Sequence, residues 1–406
     1  MVHRRLSRLA FSTLFAVTMA TAVGNLGLVT VMPAIGRALA IPDALVASIF
    51  SLSALAWAVT APLWARVSDR RGRKPMILVG LCGFIASMTG CGLVVLAGLH
   101  GFGTALLLFL GFTIIRCCYG LFGSAAGTAA QAYVADHSEG HARVRALSGL
   151  AGALSLGTII GPTVAPFLVV APAGLAGPMF AFALMGVVLL ALVTLVLEAD
   201  QPIRARGTPA GPRQRLWADG ALRPILIQGI TVASAQAINT YTLGFAIIDR
   251  SGLAAEKAQS LIGIAMSASA ASGLVAQVGV VNLLRPSPAA MLRWGALLVA
   301  IGNICVIGVG GFPALIAGFS LASFGYGLAR PGFTSILSLS LGPERQGAVA
   351  GAVNMIAGAS ITLPPIIAVT CYQYWWGAPF FLAALSCGFV FVATLRSPTP
   401  VFPVSD

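Results

Sequence analysis

The chain is expected to be an all-α integral membrane protein with twelve transmembrane helices in two pseudo-symmetric six-helix halves. Three observations carry that expectation: composition, the spacing of apolar runs, and the placement of basic residues. Of 406 residues, 58% are hydrophobic and 9% charged, against roughly a quarter charged in ordinary soluble domains. The mean hydropathy is +0.94. A water-soluble fold of this length has too little interior to hide so much apolar surface.

A membrane-crossing helix needs about 20 mostly apolar residues. That rule places spans at 9–34, 43–65, 75–97, 103–134, 144–171 and 177–197, then at 222–248, 256–282, 289–310, 312–337, 345–372 and 377–395. The first run follows Arg4, Arg5 and Arg8, as in a secretory leader. It is too long for a leader core and has no clear cleavage site, so it reads as a retained span. With the N-terminus inside, Arg37, Arg250 and Lys257 fall on the far side and Arg116 and Arg330 within spans. The remaining nineteen of the 24 basic residues are cytoplasmic. This satisfies the positive-inside rule and puts both termini in the cytoplasm.

The net charge of +13 comes as short clusters between apolar runs, which excludes a nucleic-acid-binding domain. All seven cysteines lie in apolar runs without CxxC spacing and read as small buried hydrophobes. No metal set, cofactor motif, Walker loop or nucleophile triad is legible, so neither an enzyme nor an ATP-driven pump is expected.

The polar stretch 198–221 is rich in Pro, Gly and Arg and reads as a cytoplasmic linker between halves 1–197 and 222–406. The halves echo each other in order. Met76…Gly80 answers Met291…Gly295, Tyr119-Gly120-Leu121 answers Tyr326-Gly327-Leu328, and Gly161-Pro162 falls opposite Leu363-Pro364. Proteins duplicated in this way bind solute near the midplane and alternate access by rocking the halves.

The loop between spans two and three, Ala65-Arg-Val-Ser-Asp69-Arg70-Arg71-Gly72-Arg73-Lys74, carries the most specific signal. Asp69 can meet neighbouring arginines, Gly72 permits a tight turn, and the basic run anchors at anionic headgroups. Such a charge cluster can latch one conformational state and release in the other. The spacing resembles the signature loop of the major facilitator superfamily, with Ala65 where the family usually has Gly. Arg116 in span four, followed by a Gly-rich stretch, resembles the family's second motif. Gly157, Gly161 and Pro162 in span five resemble the helix-packing motif of its antiporter branch, with Ala165-Pro166 replacing the usual Gly pair. Ala132…Asp136 with Arg143 and Arg145 is similar to the end of span four in tetracycline-type efflux pumps, which implies a second cytoplasmic ion pair, Asp136 with Arg145. His137 and His141 in this loop read as solvated.

The resemblance implies a secondary transporter, and the twelve-span drug–proton antiporter branch in particular. The reading is an exporter in a bacterial inner membrane, moving a small organic solute by alternating access with a proton as coupling ion, and sufficient as a monomer. An uptake carrier and a transport-inactive receptor are the competing readings. No acidic residue falls deep within a span, and Thr21 stands at the position where tetracycline-type pumps carry an acid. Arg116 and Arg330 therefore lack an acidic partner in the apolar core, which suggests a carboxylate-bearing solute such as a siderophore, with snorkelling as the alternative for Arg330. Asn25, Gln131, Gln236, Asn239, Tyr241, Gln277, Asn303 and Asn354 are the candidate cavity lining. For each of these an interhelical hydrogen bond is the competing role.

Overall fold

The computed structural model describes residues 6–198, 217, 219–220, 222–308, 311–341 and 346–396. The linker expected at 198–221 lies almost entirely outside the described residues, as do Glu344 and Arg345. The described chain is helical from end to end. Its elements are α1 (Arg8–Ala38), α2 (Asp43–Arg71), α3 (Arg73–Leu99), α4 (Ala105–Asp136), α5 (Gly140–Val164) and α6 (Gly177–Val196), followed by α7 (Arg223–Ser251), α8 (Ala255–Leu274), α9 (Val281–Leu284), α10 (Pro288–Gly308), α11 (Phe312–Leu341), α12 (Gln346–Thr362), α13 (Pro364–Tyr374) and α14 (Ala378–Arg396). A π-helical turn, Val275–Val280, joins α8 to α9, making one span of the two. Among the described residues, eleven helices are long and apolar enough to cross a membrane. The twelfth expected span, α7, is 29 residues long and is diluted by Gln228, Thr231, Ser234, Gln236, Asn239, Thr240 and Thr242.

Contacts divide the chain into two compact units: Met1–Pro209 with Ala254–Gly263, and Ala210–Leu253 with Ile264–Asp406. In the first unit α1 packs along α5 and α6, α3 along α4 and α6, and α2 along α4. Lipid tails give helices no hydrophobic reason to associate, so close packing through small residues has to do it. Gly157 of α5 meets α1 so closely that a Cβ there would lie 2.5 Å from Ala22 Cβ, and one on Gly161 would lie 2.9 Å from the Gly27 nitrogen. The Gly157/Gly161 spacing is therefore a packing face. Pro162 leaves α5 continuous, and a short 3-10 turn, Ala165–Leu168, follows it.

In the second unit α7 packs against α11, α12, α13 and α14, and α10 pairs with α11 and α14. The α10–α11 seam is lined by glycines: Cβ atoms added at Gly295, Gly302, Gly318, Gly325 and Gly332 would all fall 2.5–2.8 Å from the facing helix. Their seven-residue spacing along each helix keeps them on one face, as a left-handed crossing requires. The expected counterpart of Pro162 behaves differently, since the run Leu363-Pro364-Pro365 splits its span into α12 and α13. Two successive prolines remove two ladder donors where one removes a single donor.

Not every cysteine is buried. Cys91 and Cys387 are, Cys82 is exposed, and the other four are half-buried; all seven are free thiols.

Candidate functional site

The described residues place the singled-out side chains in three groups. At the basic end of the first unit, Gly72 adopts φ 93° between α2 and α3, a conformation open to glycine at little cost. It turns the chain so that Arg73 begins α3 beside the ends of α2 and α4. Arg73 Nη1 donates to Asp69 Oδ1 at 2.5 Å and to Ser68 Oγ at 3.2 Å, and its Nε donates to Asp136 Oδ2 at 2.8 Å. One guanidinium thus bridges carboxylates on α2 and α4. The Asp136–Arg145 pair expected from sequence is corrected: Asp136 closes α4 directly beside the start of α3, and Arg145 lies exposed on α5. Arg70 is exposed. Lys74 belongs to a separate device. Its Nζ donates to the Thr194 and Leu197 carbonyls at 2.8 and 2.5 Å, capping the last turn of α6, where a cation also meets the negative helix end. His137, expected to be solvated, is half-buried; its ring stacks on Tyr133 at 4.2 Å, and its Nδ1 lies 2.8 Å from the Tyr133 carbonyl.

The second group surrounds Arg116, which is 1% exposed and among the largest fully buried side chains. Its Nη2 donates to Asn25 Oδ1 of α1. Its guanidinium lies 4.6 Å from the Tyr119 ring and 5.6 Å from the Phe50 ring, both within cation–π range. Its backbone carbonyl accepts from Ser53 Oγ of α2 at 3.1 Å. Tyr119 is itself enclosed by Trp57 at 5.4 Å and Phe84 at 5.6 Å. Arg116 therefore ties α4 to α1 and α2 at once. Thr21 does not join this group, because its hydroxyl turns back to the Val17 carbonyl at 2.9 Å. Sequence reading found Arg116 and Asn25 but missed Tyr119, Phe50 and Ser53. Tyr119 was accessible in principle, being three residues from Arg116 and so on its face of the helix. The α2 partners needed the fold.

The third group is in the second unit. Asn239 of α7 is 1% exposed, and among the described residues neither atom of its amide has a hydrogen-bond partner. Asn303 of α10 donates to the Val299 carbonyl at 2.9 Å, and its side chain meets the Tyr326 hydroxyl of α11. Tyr241 is buried, Gln236 half-buried, and Gln277 on the π turn exposed. Gln131 on α4 and Arg330 on α11 are exposed. The side chain of Asn354 lies outside the described residues. Sequence reading also missed two contacts at the end of α7 remote from Arg223. Tyr372 of α13 donates to Asp249 at 2.8 Å, and Arg250 stacks 4.1 Å from the Trp376 ring.

Among the described residues every carboxylate lies in a loop or within three residues of a helix end, and no cluster of metal-ligating side chains occurs. Long apolar spans, packing through glycine and the buried Arg116 guanidinium between helices define a multi-pass membrane protein.

The comparisons give that class its family. A model of the Major Facilitator Superfamily matches residues 11–363, and the chain belongs to that superfamily of transporters. It is 26% identical over 393 residues to Multidrug resistance protein 1 of Bacillus subtilis, covering 93% of each chain. A shorter likeness, 33% identity over 99 residues, covers 24% of this chain and 18% of Efflux pump azaK of Aspergillus niger. Among solved structures, the inward-open xylose transporter XylE of E. coli superposes with a TM-score of 0.67 at 15% identity, over 95% of this chain and 96% of that one.

Proposed function

We propose that this transporter is an exporter of a small organic solute in a bacterial inner membrane, energised by an ion gradient with the proton as coupling ion. The observation that carries the outward direction is the end-to-end likeness to a multidrug resistance protein. In this reading the halves 1–197 and 222–406, joined by 198–221, rock about a central solute. The Asp69–Arg73–Asp136 bridge supports a latch on the cytoplasmic side, because it joins α2, α3 and α4 through one guanidinium. A second reading, facilitated movement without proton exchange, is favoured by the placement of every described carboxylate in a loop or near a helix end.

Inside-out vesicles from cells overproducing the chain test the proposal with ethidium as solute and a fluorescent reporter of lumenal pH. Uptake into the vesicles that stops on adding an uncoupler supports proton-coupled export. Equilibration insensitive to the uncoupler supports the facilitator. Movement only in the opposite sense removes the export reading.

A further inference from the structure

Along α1, Thr18, Thr21 and Asn25 form a half-exposed polar stripe between buried Val17, Ala20, Ala22, Val23 and Gly24. Their spacing of three and four residues keeps them on one face of the helix, and a polar stripe on a membrane span serves a water-filled or solute-lined space rather than lipid. The two threonines turn their hydroxyls back to the Leu14 and Val17 carbonyls, which leaves little to offer a solute. Asn25 differs, since its Oδ1 reaches away from α1 to the Arg116 guanidinium. The half-exposed amide thus lies over a cation that is itself 1% exposed.

We propose that Asn25 is an exchangeable acceptor: a carboxylate of the solute displaces its amide oxygen from Arg116 Nη2, so that the transported class is an organic carboxylate. The proposal rests on the transport reading above and names the solute class for it. An amide oxygen is a neutral acceptor. A carboxylate forms a charge-assisted bond about twice as strong and adds an opposite charge beside the guanidinium. Rotation of the Asn25 side chain uncovers Arg116 without moving the backbone, while Ser53 continues to hold the Arg116 carbonyl.

The experiment is equilibrium binding of radiolabelled benzoate to the full chain in lipid nanodiscs, with benzamide and ethidium as comparators, for native protein, Asn25→Asp and Asn25→Ala. Native protein is expected to prefer benzoate to benzamide. Asn25→Asp supplies a competing carboxylate from within and is expected to weaken benzoate roughly tenfold or more, with benzamide and ethidium changed far less. Asn25→Ala removes the competitor and is expected to hold or improve benzoate affinity. Matching thermal unfolding of the three proteins shows that each is folded, and the alanine variant keeps the test decisive if the aspartate variant is not. Equal benzoate affinity in native and Asn25→Asp proteins, loss in Asn25→Ala, or no benzoate binding to native protein overturns the proposal. Outward ethidium movement without benzoate binding would sink this inference and leave export standing. Benzoate binding with inward movement alone would do the reverse.

Discussion

Asn25 of α1 and Asn239 of α7 occupy comparable places in the two halves, yet their surroundings differ in kind. Asn25 is half-exposed and bonded to a buried guanidinium. Asn239 is 1% exposed, with both amide atoms unpaired among the described residues. The internal repeat explains the difference, because aligning Tyr119-Gly120-Leu121 with Tyr326-Gly327-Leu328 puts Ser323 where the first half has Arg116. Around it the tyrosines diverge as well: Tyr119 faces a cation, while Tyr326 faces the neutral Asn303 amide. The halves share close packing through glycine, while the position of Arg116 is charged in the first half alone. The two halves therefore carry different chemistry on one scaffold.

Five substitutions break or sharpen this contrast, beginning with the largest effect. Gly325→Val should be the most damaging, because its Cβ would lie 2.5 Å from the Gly295 carbonyl oxygen with no flexible side chain to yield. A loss of about 3 kcal/mol is expected, seen as failure to recover monodisperse protein; wild-type-like recovery would mean that the α10–α11 seam tolerates separation. Arg116→Ala should abolish solute movement and lower stability by about 3 kcal/mol, the usual consequence of deleting one member of a buried charged contact. Thermal unfolding and vesicle transport measured together check both effects, and transport surviving at the native rate would reduce Arg116 to a packing residue. Asp136→Asn should weaken the bridge through Arg73 and alter transport rate, whereas Arg145→Ala on the exposed face of α5 should stay within about 0.5 kcal/mol of native. Equal effects of these two would restore Arg145 as the partner. Asn239→Leu should act in the opposite direction, raising stability by about 1 kcal/mol because it removes an unsatisfied buried amide at similar volume. Destabilisation in detergent, or loss of solute binding, would show that the amide has a partner during the transport cycle.

Much of the fold was legible because membrane insertion is governed by local properties. Run length, basic flanks and the Gly–Pro punctuation are read without knowing what packs on what. The least apolar span, α7, was also visible, as a concentration of Gln, Asn and Thr. The glycines of α10 and α11 recur at seven-residue spacing in the sequence, but small-residue spacing is common in membrane helices, and only the fold shows which helix they face. Side-chain partnerships were another matter. Asp136 with Arg145 looked right along the chain, yet Gly72 folds Arg73 back to the same carboxylate from 63 residues away.

The sequence by itself determined that this chain is a helical membrane transporter of two related halves, with few charges and two of them, Arg116 and Arg330, within spans. Those conclusions need only transfer energies and helix length, which are sums over local residues. Only the tertiary structure decided that Asn25 covers Arg116, that Arg73 joins two carboxylates, that Lys74 caps α6, and that Asn239 is buried with no partner among the described residues. Each depends on which helix faces which, and that is settled by close backbone approach at glycines distributed over the whole chain.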